Sequence, residues 1–185
     1  PEHKLVWGKD GEAITADLIV APTFPGTRRN YPAWVPAFLR GRFLQEFTAD
    51  ASRRSRRLYV SRRGRHRNAQ NEEAVLGIVR DKGFEVCTPG ADGTTPADFS
   101  EAEIVVGPHA GALTDLAFCR PGTKVLELIP SDHIYPYFFT LSESAGLDYN
   151  YLLCRSLQER GFDAWGPSLV DFVVGEREFT DALDR

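Results

Sequence analysis

The 185-residue chain lacks methionine, long apolar runs and any motif for NAD or ATP. Since it begins at Pro1 and contains no Met, we expect it to be part of a longer protein. No stretch approaches 18 consecutive apolar residues and no secretory h-region is present, so no integral membrane segment is expected within it. Neither a GxGxxG sequence nor a P-loop occurs, which leaves the common dinucleotide and ATP motifs unrepresented.

Cysteine is scarce. Cys87, Cys119 and Cys154 form neither an even-numbered framework nor a CxxC pair, and Cys87 and Cys154 lie in apolar runs. These two are therefore predicted to be buried thiols of a protein in a reducing compartment. We expect a cytoplasmic location, with any membrane association arising from regions outside this chain.

Charge is distributed unevenly although the formal net charge is only −4. Between Ser52 and Arg67 there are eight arginines and no carboxylate, which leaves 14 basic residues against 26 acidic residues elsewhere. A positive patch on an acidic body indicates an anion pocket. A solvated loop, or one paired with the acidic remainder, stays an alternative. A nucleic-acid partner is not expected, because no stacking aromatic interrupts the run and the overall charge is negative.

Apolar periodicity predicts strands that alternate with helices, and hence an α/β fold with a doubly wound, mainly parallel sheet. Gly83 and Gly146 are predicted to end two of the helices, and Asn71 or Gln70 to cap one. The helix at 32–47 is expected to face the core through its aromatic residues. The predicted strands are 18–21, 58–60, 84–87, 103–106, 124–129 and 151–154, and the predicted helices are 32–47, 71–82, 96–101, 112–118 and 137–145.

The first segment with chemical potential runs from Ser61 to Glu73, where a strand leads into an arginine loop and then a helix start. Guanidinium groups bind phosphate oxygens bidentately, and free N–H groups at a helix start favour anions. Because ligands bind beyond the carboxyl ends of parallel strands, this loop is a candidate phosphate site.

The second segment runs from Gly107 to Pro130. It begins where a strand ends, and His109 then leads through small residues into a helix. Small residues let a ligand approach the backbone. His109 is either a satisfied structural residue or a ligand contact. Glu127 lies within an apolar strand, where a carboxylate needs partners; these are either protein groups or the hydroxyls of a ligand.

Together the two segments resemble glycosyltransferase family 61, which groups bacterial capsular-polysaccharide enzymes, plant xylosyltransferases and animal O-linked N-acetylglucosamine transferases. The likeness covers about residues 55–152, with a weaker part at 21–44. It departs from the family pattern at Ala110, where glycine usually follows the histidine, and at Asp115, where Asn is common. The positions in register are Ser61, Arg62, Arg67, Asn71, Glu72, Gly83, Phe84, His109, Leu113, Phe118, Pro121, Gly122, Val125 and Glu127.

The resemblance implies two facing Rossmann-like halves of the GT-B type. Residues 51–185 would form the C-terminal, nucleotide-sugar-binding half, and residues 1–50 an entry segment and linker helix from a missing or partial N-terminal half. It implies inverting transfer from a nucleotide-sugar donor, expected to be a UDP-sugar, to a hydroxyl of a glycan or other acceptor in polysaccharide or glycan biosynthesis. The implied donor-binding residues are Ser61, Arg62, Arg67, Asn71, Glu72, His109, Gly111, Leu113, Thr114 and Glu127.

The chain contains no Asp-x-Asp pair to hold a cation against the diphosphate, so we expect no metal and no other cofactor. The leaving-group charge would fall on Arg62, Arg67 and helix N–H groups. His109 is a donor-site candidate, whereas the catalytic base is left unassigned because it often lies on the other half of such folds. Two alternatives stay open: a nucleotide-sugar epimerase or hydrolase on the same fold, and a non-catalytic nucleotide-binding domain.

Overall fold

The structure is a computed structural model that describes residues 31–46, 55–158 and 169–184. The strand predicted at 18–21 lies outside these residues, as do Arg53 and Arg54 of the arginine run.

Six strands form one sheet in the order β2-β1-β3-β4-β5-β6. The strands β1 to β5 pair in parallel, and β6 is antiparallel to β5. Chain order reverses beside β1, which is flanked by β2 and β3, and such switch points open a crevice at the carboxyl ends of the strands. The strands are β1 (Arg56–Val60), β2 (Glu85–Cys87), β3 (Ala102–Pro108), β4 (Lys124–Pro130), β5 (Asp148–Ser156) and β6 (Phe172–Val173).

Helices cover both faces of the sheet. They are α1 (Trp34–Phe43), α2 (Glu72–Asp81), α3 (Pro96–Ser100), α4 (Tyr137–Ala145) and α5 (Glu176–Leu183), with 3-10 helices at Leu44–Glu46 and Gly111–Phe118. Successive strand residues point to opposite faces, so Val105 packs in the cluster with α3, the 3-10 helix 111–118 and α4. Val106 packs in the other cluster, with α2 and α5. The prediction of an α/β fold with a mainly parallel sheet is confirmed.

Helix ends follow the sequence signals in most places. Gly83 and Gly146 have φ values of 75° and 73°, the left-handed conformation expected directly after α2 and α4. The helix predicted at 112–118 is not α-helical but forms the 3-10 helix Gly111–Phe118. Its buried Leu113 and Leu116 lie three residues apart, and three residues per turn places both on the core side.

The prediction that helix 32–47 faces the core is wrong for most of its aromatic residues. Trp34 and Phe38 are 55% and 58% exposed, and Phe43 is 36% exposed. The helix α1 lies outside the 3-10 helix 111–118 and α4, so its inward contacts come from Pro36, which is buried, and from Leu39, which packs against the core cluster. Arg40 fastens it by donating to the carbonyl oxygen of Cys119 at 2.9 Å.

The C-terminal elements were not predicted from the sequence. The strand β5 extends beyond the predicted 151–154 at both ends, and β6 and α5 are additional. The strand β6 has only two residues, too few for a periodic signal. The helix α5 does carry a signal, because Phe179 and Leu183 are four residues apart and both are buried.

All three cysteines are free and buried. Burial raises the pKa of the Cys87 and Cys154 thiols to about 12. The prediction that these two are buried thiols is confirmed, and both are poor nucleophiles at neutral pH.

Candidate functional site

The carboxyl ends of β1, β3 and β4 bring the two segments to one edge of the sheet. The arginine loop leaves β1 at Ser61, and His109 follows β3, where its backbone N–H donates to the carbonyl oxygen of Leu128 on β4 at 2.9 Å. Gly107 lies opposite Glu127 in the register of β3 and β4. This edge, at the reversal of strand order, is where open α/β sheets bind ligands.

Ser61 and Glu72 tie the two ends of the arginine loop together. The Ser61 hydroxyl donates to Glu72 Oε1 at 2.8 Å and accepts from the backbone N–H of Arg63 at 3.2 Å. Both side chains are buried, at 7% and 3% exposure. Their immediate role is to shape the loop, while direct contact with a nucleotide stays a prediction.

Asn71 stands at the N-cap position of α2, but its side chain does not cap the helix. It bonds the backbone of Val174 instead, donating to the carbonyl at 2.9 Å and accepting from the N–H at 3.0 Å. Nearby, the N–H of Asn68 donates to Asp171 at 2.9 Å, and Ala69 bridges to Phe172. Residues 171–174 therefore clasp the C-terminal part of the arginine loop.

The described arginines of the run divide into two groups. Arg56 pairs with Glu85 and Asp98, Arg57 lies 3.6 Å from Glu103, and the exposed Arg63 pairs with Glu73. Pairing with the acidic remainder, the alternative raised from composition, therefore holds for these three. Arg62, Arg65 and Arg67 therefore remain as the candidates for binding an anion.

Arg62 and Arg67 are half-buried, and nearby carboxylates only partly balance their positive charges. Burial lowers the pKa of Arg62, and the neighbouring Arg67 and Arg65 lower it further, against the opposing effect of Asp171. Burial also lowers the pKa of Arg67, which Asp132 only partly offsets. Within the described part of the chain, the buried Nε of Arg67 has no hydrogen-bond partner. Arginines remain charged in proteins. A bound anion would therefore compensate the positive charge of this cluster.

Glu127 is fully buried and holds His109. One carboxylate oxygen contacts His109 Nδ1, and the other accepts from the Tyr149 hydroxyl at 2.5 Å. An ionised carboxylate can only accept, so Nδ1 of His109 carries a proton and donates to Glu127, which orients the ring. Burial, followed by the Glu127 charge, raises the pKa of Tyr149 and keeps it a neutral donor. The sequence left two kinds of partner open for Glu127, protein groups or the hydroxyls of a ligand. In the structure both partners are protein groups, and a ribose hydroxyl could bind Glu127 only by displacing one of them.

His133 joins the two segments. Its Nε2 contacts the guanidinium of Arg67, and its ring centroid lies 5.1 Å from that of His109. Tyr135 also packs against His133, with 4.5 Å between the ring centroids. Both histidines are 4% exposed. Arg67, His133, His109 and Glu127 thus form a row of contacting side chains along the carboxyl edge, in which the two histidines meet by ring packing.

The small residues of the second segment differ in what surrounds them. A Cβ atom added to Gly107 would lie 2.9 Å from Val60 Cβ, so that space is filled by protein. Gly111 and Thr114 are exposed, and no atom lies within 4 Å of a Cβ built on Gly111. Leu113 is fully buried in the core, which assigns it a packing role. Room for a ligand at the backbone exists at Gly111 and not at Gly107.

Sequence reasoning missed His133, Tyr135 and Tyr149. His133 is three residues beyond the end of β4, so the strand-end rule applied to Ser61 and His109 also points to it. Tyr149 carries no comparable signal, because it reaches Glu127 across the β4–β5 pair from two residues off the matching position.

A cavity of about 730 Å³ lies at the opposite, amino-terminal edge of the sheet, against Glu103, Lys124 and Asp148. None of the predicted site residues lines it. In residues 31–46, 55–158 and 169–184, no group of three or more His, Cys, Asp or Glu side chains is placed to hold a metal ion. Nor does any described helix have the length and apolar character to cross a membrane.

Comparison with known proteins gives two matches. The family model described as Glycosyltransferase 61 matches residues 5–126, which include the whole first segment and the second segment as far as Leu126, just before Glu127. The beta-1,2-xylosyltransferase RCN11 of Oryza sativa subsp. japonica is 42% identical to this chain over 50 residues. That alignment covers 27% of this chain and only 9% of the rice protein.

Proposed function

The chain belongs to glycosyltransferase family 61, and from that premise we propose that it binds a nucleoside-diphosphate sugar and transfers the sugar to an acceptor hydroxyl. We further propose that residues 51–185 form the donor half of a GT-B-like enzyme. UDP is the expected nucleotide. The expected setting is polysaccharide or glycan biosynthesis in the cytoplasm, and the free, buried thiols are compatible with a reducing compartment.

The observation that carries the proposal is the under-compensated arginine cluster at the carboxyl edge. Arg62, Arg65 and Arg67 lie close enough for their charges to lower the pKa of Arg62, although like charges repel one another. An anion between them relieves both the repulsion and the cost of burial. A diphosphate suits the cluster because its oxygens accept from several guanidinium groups at once.

The proposed reaction needs this charge in its transition state. The acceptor oxygen forms a bond to the anomeric carbon as the bond to the diphosphate breaks, and the electron pair stays on the phosphate oxygen. Inversion follows when the acceptor attacks the face opposite the leaving group. Arg62 and Arg67 stabilise the negative charge that develops on the diphosphate leaving group. A base outside the assigned residues takes the proton of the acceptor hydroxyl. His109, oriented by Glu127, lies beside this cluster and is proposed to contact the donor.

A binding experiment with matched arginine variants tests the assignment. Arg62→Ala and Arg67→Ala should each weaken UDP binding by roughly 1.5–3 kcal/mol, the range for charged hydrogen bonds, with little change in unfolding free energy. Arg63→Ala is the control, because that side chain is exposed and paired with Glu73 on the surface. Calorimetry measures the affinities. Equal affinity in all three variants and the unsubstituted protein would remove the phosphate site from this loop.

The chemistry is tested by product analysis with UDP-sugars in the presence and absence of acceptors. The expected product is a glycoside whose anomeric configuration, measured by NMR, is opposite to that of the donor. Free sugar formed at the same rate with and without acceptor would favour a hydrolase. An isomerised UDP-sugar would favour an epimerase, and binding without turnover would favour a non-catalytic domain.

A further inference from the structure

His133 occupies a fixed place between the two segments. It is 4% exposed, and its backbone N–H donates to the carbonyl oxygen of Pro130 at 2.9 Å, which anchors it just beyond β4. Its Nε2 faces the guanidinium of Arg67, and its ring packs edge-on against His109. Its side chain is therefore held against the same arginine that we assign to the donor phosphates.

The contact with Arg67 defines the protonation state of His133 in the unliganded protein. A guanidinium has five N–H donors and no acceptor. For the two side chains to hydrogen-bond, Nε2 of His133 must accept and therefore carries no proton. The imidazole is then neutral, with its proton on Nδ1, and the positive charge of Arg67 favours that state.

An imidazole nitrogen is a weak counterpart for the half-buried guanidinium of Arg67. It supplies no negative charge, and Asp132, the nearby carboxylate, compensates Arg67 only in part. The buried Nε of Arg67 also lacks a partner among the described residues. In addition, Arg67 has a φ of 57°, an unfavourable conformation for a non-glycine residue, and such conformations cluster at ligand sites.

We propose that His133 is an anion-binding residue of the donor site, and that a phosphate oxygen replaces its contact with Arg67 and binds His133 in the protonated form. The inference rests on the proposed function, since the anion is the diphosphate of the nucleotide. The phosphate oxygen accepts from Arg67 on one side and from the new Nε2–H on the other. One proton moves from solvent to His133 as the nucleotide binds, and it returns to solvent on release.

The surroundings of His133 include several groups that titrate or carry charge. Arg67, and behind it Arg62, oppose its protonation until the anion arrives. Asp132 favours protonation, and it is itself held by the Ser156 hydroxyl. The rings of His109 and Tyr135 contact it directly. His109 is the competing proton acceptor, since its ring contacts that of His133 and its Nδ1 contacts Glu127. Tyr137 lies beyond His109 on α4.

Histidine NMR tests the proposal on the unsubstituted protein, because the sequence contains only four histidines. Two-bond ¹H–¹⁵N spectra distinguish an unprotonated Nε2 from a protonated one, and His133→Gln assigns the signal. At pH 6.5 the unliganded protein should show an unprotonated Nε2 for His133, and saturating UDP should convert it to the doubly protonated ring. A His133 ring that stays neutral with UDP bound would overturn the inference while leaving the proposed function intact.

Calorimetry in buffers of different ionisation enthalpy supplies an independent count of protons taken up with UDP. UDP titrates in the same range, so each variant is compared with the unsubstituted protein at equal pH. His133→Gln, checked for folding by urea unfolding, should reduce proton uptake and weaken UDP binding about tenfold at pH 6. The difference should shrink towards pH 8. The control His66→Gln removes an exposed histidine and should retain the full uptake.

The remaining outcomes separate the two ideas. If His109→Gln abolishes the proton uptake and His133→Gln does not, the proton goes to His109 and the inference is wrong. If UDP binds at no pH between 5.5 and 8, the inference and the proposed function fall together.

Discussion

Substitution of Glu127 by glutamine tests whether this buried carboxylate stabilises the fold through its protein partners or binds the nucleotide directly. The change keeps the shape of the side chain and one carbonyl oxygen, so the Tyr149 hydroxyl retains an acceptor. The new amide group then faces Nδ1 of His109, and two N–H groups cannot hydrogen-bond. His109 must change tautomer, accepting at Nδ1 and placing its proton on Nε2.

The magnitude follows from the two contacts. Hydrogen bonds to a charged group contribute about 1.5–3 kcal/mol each, and neutral ones about 0.5–1.5 kcal/mol. Replacing two of the first kind by two of the second costs roughly 2–3 kcal/mol, and the relief of burying a charge offsets part of that cost. We therefore expect Glu127→Gln to lower the unfolding free energy of the unliganded protein by about 1–3 kcal/mol.

Urea unfolding measures this change, and Glu103→Gln is the control. Glu103 is exposed and lies on the neighbouring strand, 3.6 Å from Arg57, so its replacement should alter stability by less than about 1 kcal/mol. Tyr149→Phe completes a double-substitution cycle with Glu127→Gln. Since the two side chains touch, a coupling energy of at least about 0.5 kcal/mol is expected.

One result would refute this reasoning. If the unliganded Glu127→Gln protein is as stable as the unsubstituted one, the bonds to His109 and Tyr149 contribute nothing. If it also loses affinity for UDP but not for pyrophosphate, which has no ribose, Glu127 binds the ribose directly. Loss of stability with unchanged UDP affinity would instead confirm a positioning role confined to the protein.

Three further predictions concern packing, pH and metal. Gly107→Ala should cost about 1–3 kcal/mol of unfolding free energy, because the new methyl group overlaps Val60; Gly111→Ala, which meets no atom within 4 Å, should change stability by less than 1 kcal/mol in the same assay. Burial raises the pKa of Asp115 above its ordinary value of 3.8, so its contribution to stability is present below that value and is lost as pH rises through the raised pKa. Asp115→Asn should remove this part of the pH dependence and stabilise the protein at pH 7 relative to the unsubstituted protein; the opposite sign at pH 7 would mean that a partner stabilises the carboxylate. Transfer activity should survive EDTA, and complete loss with recovery on adding manganese or magnesium would show that a cation neutralises the diphosphate.

The sequence allowed most of the central fold to be predicted because its signals are local. Apolar strands such as Lys124–Ile129 and glycines such as Gly83 determine elements without reference to distant residues. The rule that parallel strands end at one edge also brought Ser61 and His109 to the same part of the molecule. The two-residue strand β6 carries no periodicity, so it was missed.

The ion pairs of the arginines could not be predicted from local sequence signals. Composition showed an arginine run, but not that Arg56 and Arg63 have acidic partners while Arg67 has an incomplete set. Those partners depend on strand order and on which side of the loop each residue occupies. The exposure of Trp34 and Phe38 has the same origin, since apolar spacing identifies a helix but not the layer in which it lies.

The contacts of residues 171–174 with the arginine loop affect the order in which the protein folds. Asn68 and Asn71 bond to residues 103 positions later in the chain, whereas β1 can pair with β2 and β3 within about 50 residues. Closing so long a loop is entropically unfavourable and slow. On the ribosome, the parallel strands can therefore assemble while the arginine loop still lacks its clasp, and affinity for a nucleotide should appear only after residues 171–174 have emerged. We therefore expect the proposed nucleotide binding to depend on completion of this part of the chain, because a nascent chain arrested before Asp171 would carry the arginines without the hydrogen bonds to Asn68 and Asn71.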